Sequence, residues 1–157
     1  MNDCAGWTAR QYGLFRLLFG GWLAVHFAAL VPWGAELFSS AGALPDAAAS
    51  PLLRLFPNLF LLADTPAFVT AVLVLATVAA VAFAIGAGDR AAALLMWWIS
   101  ASLFGRNPLT SNPSLPYVGL LLLVHAGVPK LPPLRALLRE DAAVAAWHLP
   151  RSLHRVV

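Results

Sequence analysis

The sequence predicts an all-α protein: an integral membrane four-helix bundle with an interfacial or re-entrant segment between helices 1 and 2 and a surface helix after helix 4. Three observations carry this expectation. Of the 157 residues, 61% are hydrophobic and 11% are charged, against about 25% charged in a soluble domain. So few charges do not cover a water-facing surface of this size, and the bilayer is the alternative solvent. The apolar residues gather into four runs, two of them about the 17–25 residues that cross a bilayer as a helix. The Lys and Arg residues are also distributed unevenly around those runs.

The first run, 11–33, reads QYGLFRLLFGGWLAVHFAALVPW. It carries Arg16 near its start and His26 beyond its middle. It is long enough to be an uncleaved anchor, and no cleavable signal peptide is evident. The second, 66–86, has no charged residue. The third and fourth, 90–105 and 115–129, are short, and a turn set deep between them would let both cross. Non-helical backbone survives there only where protein or water covers it. Residues 34–65 contain glycines, prolines and the interrupted run LLRLFPNLFLLAD, too short to span and therefore interfacial or re-entrant. Residues 1–130 thus form the bundle, and 131–157 a cytoplasmic amphipathic helix and tail. Pro132-Pro133 open that helix. Leu134, Leu137 and Leu138 give it an apolar face, flanked by Arg135, Arg139, Glu140 and Asp141, as in a helix lying on a membrane surface.

With four spans, both termini share a side. Arg10, Arg90, Lys130, Arg135, Arg139, Arg151 and Arg155 lie there, against Arg54 and Arg106 opposite. The positive-inside rule makes that side cytoplasmic. The net charge of +3 is accordingly a topology signal and an anionic-lipid contact, and no nucleic-acid partner is expected. The Ala- and Leu-rich composition is compatible with a GC-rich bacterium, and the expected location is the bacterial inner membrane. Small residues recur at Gly20, Ala24 and Ala28 and at Ala76, Ala80 and Ala84, a spacing that lets membrane helices approach closely. The single cysteine, Cys4, excludes an intramolecular disulfide.

An ionisable group inside a span is a functional candidate because burying it is costly. Arg16 either snorkels to cytoplasmic headgroups or faces the bundle and pairs with a carbonyl, a lipid phosphate or an acidic ligand. His26 lies ten residues on, about 15 Å along the helix, with Phe15, Phe19, Trp22 and Trp33 on its face. Helices 1 and 4 run oppositely, which puts His26 and His125 at broadly similar depth. The pair would bind haem or a metal, or donate to quinone carbonyls; alternatively each bonds only to the protein. No acidic residue is evident inside a span, which argues against a proton pump or cation transporter. No nucleophile motif, phosphate loop or metal-spaced Cys/His set occurs, and no catalytic or metal residue is assigned.

The segments FRLLFGGWLAVHF, ELFSSAGALPDAAAS and SLFGRNPLTSNPSLPYVGLLLLVHAGVPK occur in that order over roughly residues 14–130. They resemble the HTTM family, membrane proteins related to the bundle of vitamin K-dependent gamma-glutamyl carboxylase. A looser likeness is to DoxX-like four-helix proteins, some of which resemble quinone-linked small subunits. The HTTM resemblance implies a lysine base between helices 3 and 4. This chain has GRNPLTSNPSLP there, and its only lysine, Lys130, falls at the cytoplasmic end, so carboxylase activity is not expected. What the resemblance carries over is a scaffold in which Arg16, Arg106 and Asn107 are structural or ligand-facing. Arg106-Asn107-Pro108 ends helix 3, and Arg106 either binds an anionic group or pairs with Asp64 or Glu36.

The leading functional expectation is a non-catalytic small subunit or assembly factor of a larger membrane complex, in contact with the lipid bilayer. The alternatives are a redox component binding a quinone or other lipophile through His26, His125 and Arg106, and an HTTM-type membrane enzyme.

Overall fold

A computed structural model describes residues 7–55, 57–110 and 112–139, together with Val144, Ala146, Trp147 and Leu149. Among these residues the protein is all-helical, with no strand. Helix α1 (Ala9–Leu30) starts at a capping box in which Thr8 and Gln11 satisfy each other's backbone N–H groups. Pro32 sits in the 3-10 turn Val31–Trp33, which leads into α2 (Gly34–Phe38). The loop after α2 reaches α3 (Pro66–Ile85), which opens on Thr65 as N-cap and Pro66 at its first position. A three-residue connection, Gly86-Ala87-Gly88, joins α3 to α4 (Asp89–Arg106). A 3-10 turn, Pro108–Thr110, precedes α5 (Leu115–Gly127), and α6 (Leu134–Leu137) is a single turn.

The continuous helical stretch Ala9–Phe38 and the helix Pro66–Ile85 are long and apolar enough to cross a membrane. Helix α5 is apolar but has 13 residues. Helix α4 has 18 residues and carries Asp89, Arg90 and Arg106 at its ends. Its ends are about 26 Å apart at 1.5 Å per residue.

Helix α3 is the centre of the packing. Val69, Leu73, Ala76, Ala80 and Phe83 are all fully buried, facing α1 on one side and α4 on the other. Gly20 of α1 lies against Ala84: a Cβ there would sit 2.8 Å from the Ala84 methyl and 2.9 Å from its Cα. Gly34 plays a similar part beside Leu73. The small-residue stripe of α1 is only partly at this contact. Ala28 is exposed, because the 3.6-residue period has carried it off the face and put Leu23 and Phe27 there instead.

The segment between α2 and α3 lies over the C-terminal end of α4. The Ser50 hydroxyl donates to the Gly105 carbonyl (2.6 Å), and the Asn58 side-chain amide donates to the Ser102 carbonyl (3.1 Å). Ser102 in turn accepts from Leu59 N–H (3.2 Å), and the Trp98 indole donates to the Pro57 carbonyl (2.7 Å). Leu53 and Phe60 of this segment are buried.

Within the described residues, α6 is one turn whose Leu137 is buried against Gly13 of α1, while Leu138 is exposed. Val144, Trp147 and Leu149 join Tyr12 and Leu137 in a second apolar cluster. Glu140, Asp141 and the tail 150–157 lie outside the described residues.

Replacing Gly20 by leucine forces side-chain atoms into the Ala84 backbone. Overpacking of this kind costs about 1–3 kcal/mol. The variant is expected to melt several degrees below the parent in detergent, whereas Gly21→Leu, at a glycine with open space around it, melts with the parent.

Candidate functional site

Arg16 is fully buried. A guanidinium keeps its charge in nearly any setting, so an anion and oxygen acceptors must meet it. Its Nη1 donates to Asp89 Oδ2 at 3.1 Å, and its Nη2 donates to the Pro132 carbonyl at 3.3 Å. The side chain therefore does not snorkel. It points into the bundle and ties α1 to the first residue of α4 and to the segment after α5. Arg90 adds a parallel tie, its Nε and Nη2 both donating to the Val128 carbonyl.

His125 completes this cluster. Its Nε2 is 3.5 Å from Asp89 Oδ2, and its Nδ1 is 3.0 Å from the Tyr12 hydroxyl. A carboxylate accepts only, so Nε2 carries the hydrogen in the neutral ring and the Tyr12 O–H donates to Nδ1. The ring lies parallel to Tyr12 and meets the edge of Phe83. Tyr12, His125 and Asp89 are all buried. The arrangement is an interlocked hydrogen-bonded clamp.

Gly86 makes room for it. Its φ of +81° is left-handed, a region costly to residues with a Cβ. A Cβ there would also lie 2.5 Å from Arg16 Nη2. The α3–α4 connection is thus shaped by the arginine as well as by its own turn.

A second clamp closes the other end of α4. Arg106, the last residue of the helix, is fully buried. Its Nη2 donates to the Leu44 carbonyl (2.7 Å) and faces Asp64 Oδ2 at 3.4 Å. Of the two acids named from the sequence, Asp64 is the partner, and Glu36 is exposed. Asn107 caps α4: its amide donates to the Leu37 carbonyl (2.8 Å) and its Oδ1 accepts from Leu109 N–H (3.2 Å). Arg106 Nε and Nη1, and Arg16 Nε, have no hydrogen-bond partner among the described residues.

His26 stands apart from both clamps. It is fourteen residues from Tyr12 on one helix, about 21 Å away. It stacks on Trp22 (5.4 Å between ring centres, 11° between planes). The similar depth expected for His26 and His125 is therefore corrected. His125 falls in the last turn of α5, level with the start of α1, and the two rings share no ligand position. His26 instead lines a cavity of about 210 Å³ enclosed by α1, α2, α4 and the α4–α5 connection, with Phe27, Phe38, Ser100, Leu103 and Asn112 among its walls. Among the described residues, no group of three or more His, Cys, Asp or Glu is arranged to hold a metal ion.

Asp89 and Tyr12 were not singled out from the sequence, which had found no acidic residue within a span. A signal was present: an arginine inside an apolar run needs an anion at its own level, and Asp89, directly after the Gly86-Ala87-Gly88 turn, is next to the expected third helix.

Removing one partner of the buried Arg16–Asp89 pair strands the other, a loss of about 3–5 kcal/mol. Arg16→Met and Asp89→Leu are each expected to lower the unfolding midpoint strongly. The double variant should lie well above the sum of the two losses in a double-mutant cycle. Tyr12→Phe removes one neutral hydrogen bond and is expected to cost about 1 kcal/mol.

No protein-family model, curated protein or solved structure matches this chain.

Proposed function

We propose that this chain is a four-span membrane protein with both termini cytoplasmic, most simply in a bacterial inner membrane. In this reading it is a non-catalytic small subunit or assembly factor of a larger membrane complex. The observation that carries the reading is the use of its charge. The two buried arginines are tied into clamps at opposite ends of α4, about 26 Å apart, close to the roughly 30 Å of a hydrocarbon core. Outside them the helices present large apolar side chains: Leu14, Leu18 and Val25 on α1, and Val74, Val78 and Val81 on α3. Such faces suit lipid and partner helices. Short α5 completes its crossing in this reading with the proline-rich backbone on either side.

The redox alternative needs His26, His125 and Arg106 around one ligand, and their separate locations disfavour it in that form. The HTTM likeness supplies a scaffold for the proposal rather than a reaction, since the segment 107–114 contains no lysine.

Three measurements test the proposal. In a Cys4→Ser background, Asp46→Cys is expected to react with a membrane-impermeant maleimide in intact spheroplasts. Lys130→Cys is expected to react only after lysis; both positions are exposed. Native mass spectrometry after gentle extraction is expected to find the chain with other polypeptides. Extraction by alkaline carbonate would defeat the membrane assignment, and a stable monomer without partners would defeat the subunit assignment.

A further inference from the structure

The cavity at His26 belongs to neither clamp, and its walls are unevenly made. Phe27, Phe38 and Leu103 are buried apolar surface. Asn112 and Ser114, both exposed, form a polar rim at one side. Trp22, about half exposed, forms an apolar rim at the other. Between the rims lie the His26 ring and the Ser100 hydroxyl, neither of which has a hydrogen-bond partner among the described residues. A concave, mostly apolar space that also contains unspent donors and acceptors is the usual form of a small-molecule site.

Size and charge narrow the occupant. Engineered cavities of about 150 Å³ hold one benzene, so 210 Å³ takes one slender molecule or part of one. The α1 wall runs from Trp22 to Leu30, about 12 Å along the helix axis, room for a chain laid along it. Among the described residues no Lys, Arg, Asp or Glu lines it, which leaves an ionic head without a counter-charge. The fully buried Arg106 is not among the lining residues and meets Leu44 and Asp64 through its Nη2.

We infer that this cavity binds a neutral single-chain amphiphile: a hydroxyl- or ester-bearing head at Asn112 and Ser114, and a hydrocarbon chain passing His26 and Ser100 to emerge beside Trp22. The inference rests on the membrane reading for the supply of such a molecule. Its binding test is separate from the labelling and extraction tests, so either can fail alone.

The experiment uses the full chain in zwitterionic nanodiscs, with glycerol monolaurate as the probe. Laurate and decylubiquinone serve as the anionic and ring-headed comparisons. Saturable binding of one monolaurate per chain is expected, with laurate at least tenfold weaker. Ser100→Phe, which fills the cavity, is expected to weaken monolaurate at least tenfold, and His26→Ala several-fold. Ser114→Trp, at the exposed rim, gives the same test without touching the core if Ser100→Phe does not fold. Absence of saturable binding overturns the inference, as does undiminished binding by folded cavity-filling variants. Laurate binding as tightly as monolaurate overturns the neutral head. Decylubiquinone binding more tightly than monolaurate overturns the single chain in favour of a ring.

Discussion

An arginine enclosed by apolar helices must be answered, and the answer given to Arg16 organises one end of this protein. Its guanidinium takes Asp89 from α4 and the Pro132 carbonyl from the chain after α5. Asp89 then has a second neighbour in His125, and His125 a second in Tyr12. Four elements are thereby fixed through one side chain. The close α1–α3 contact at Gly20 and Ala84 and the turn at Gly86 both lie beside it. The net energy of such a pair is modest, because desolvation offsets most of its attraction. Its larger effect is on specificity: any other register of α1 leaves a buried charge alone.

The opposite end of α4 repeats the logic with different parts. Arg106 and Asn107 hold the chain through the carbonyls of Leu44 and Leu37, and Ser50 and Asn58 reach back to carbonyls of α4. A proline-interrupted segment without long helices is kept in place by side chains meeting its unpaired backbone groups. These contacts explain why polar residues interrupt an otherwise apolar chain there. They complete the backbone hydrogen bonding that irregular structure cannot complete by itself.

Much of the helical arrangement was legible in the sequence, and the reasons are local. Thr65-Pro66 and Gly86 bracket α3 with standard start and stop residues. Arg106-Asn107-Pro108 marks the end of α4 by the same chemistry. The choice between Asp64 and Glu36 for Arg106 could be narrowed to two but not decided, because it depends on the path of the intervening loop. Asp89 was hidden for a related reason. Starting the third helix one residue later leaves it in a turn, where an acid is unremarkable. The histidines were misplaced in depth because apolar runs blur helix ends, and α5 stops at Gly127, which brings His125 to its last turn. A helix-period stripe likewise says which residues share a face, but not how far along it two helices stay in touch, as Ala28 illustrates.

Both charged ends of α4 have a further property that concerns the order of synthesis. Arg16 precedes Asp89 in the chain, and Asp64 precedes Arg106. Each α4 charge therefore emerges from the ribosome after its counter-ion has been made. A helix delivered in this order finds its partners waiting and need not remain as an unneutralised intermediate. Only His125 arrives later, and it joins a pair that is already electrically complete.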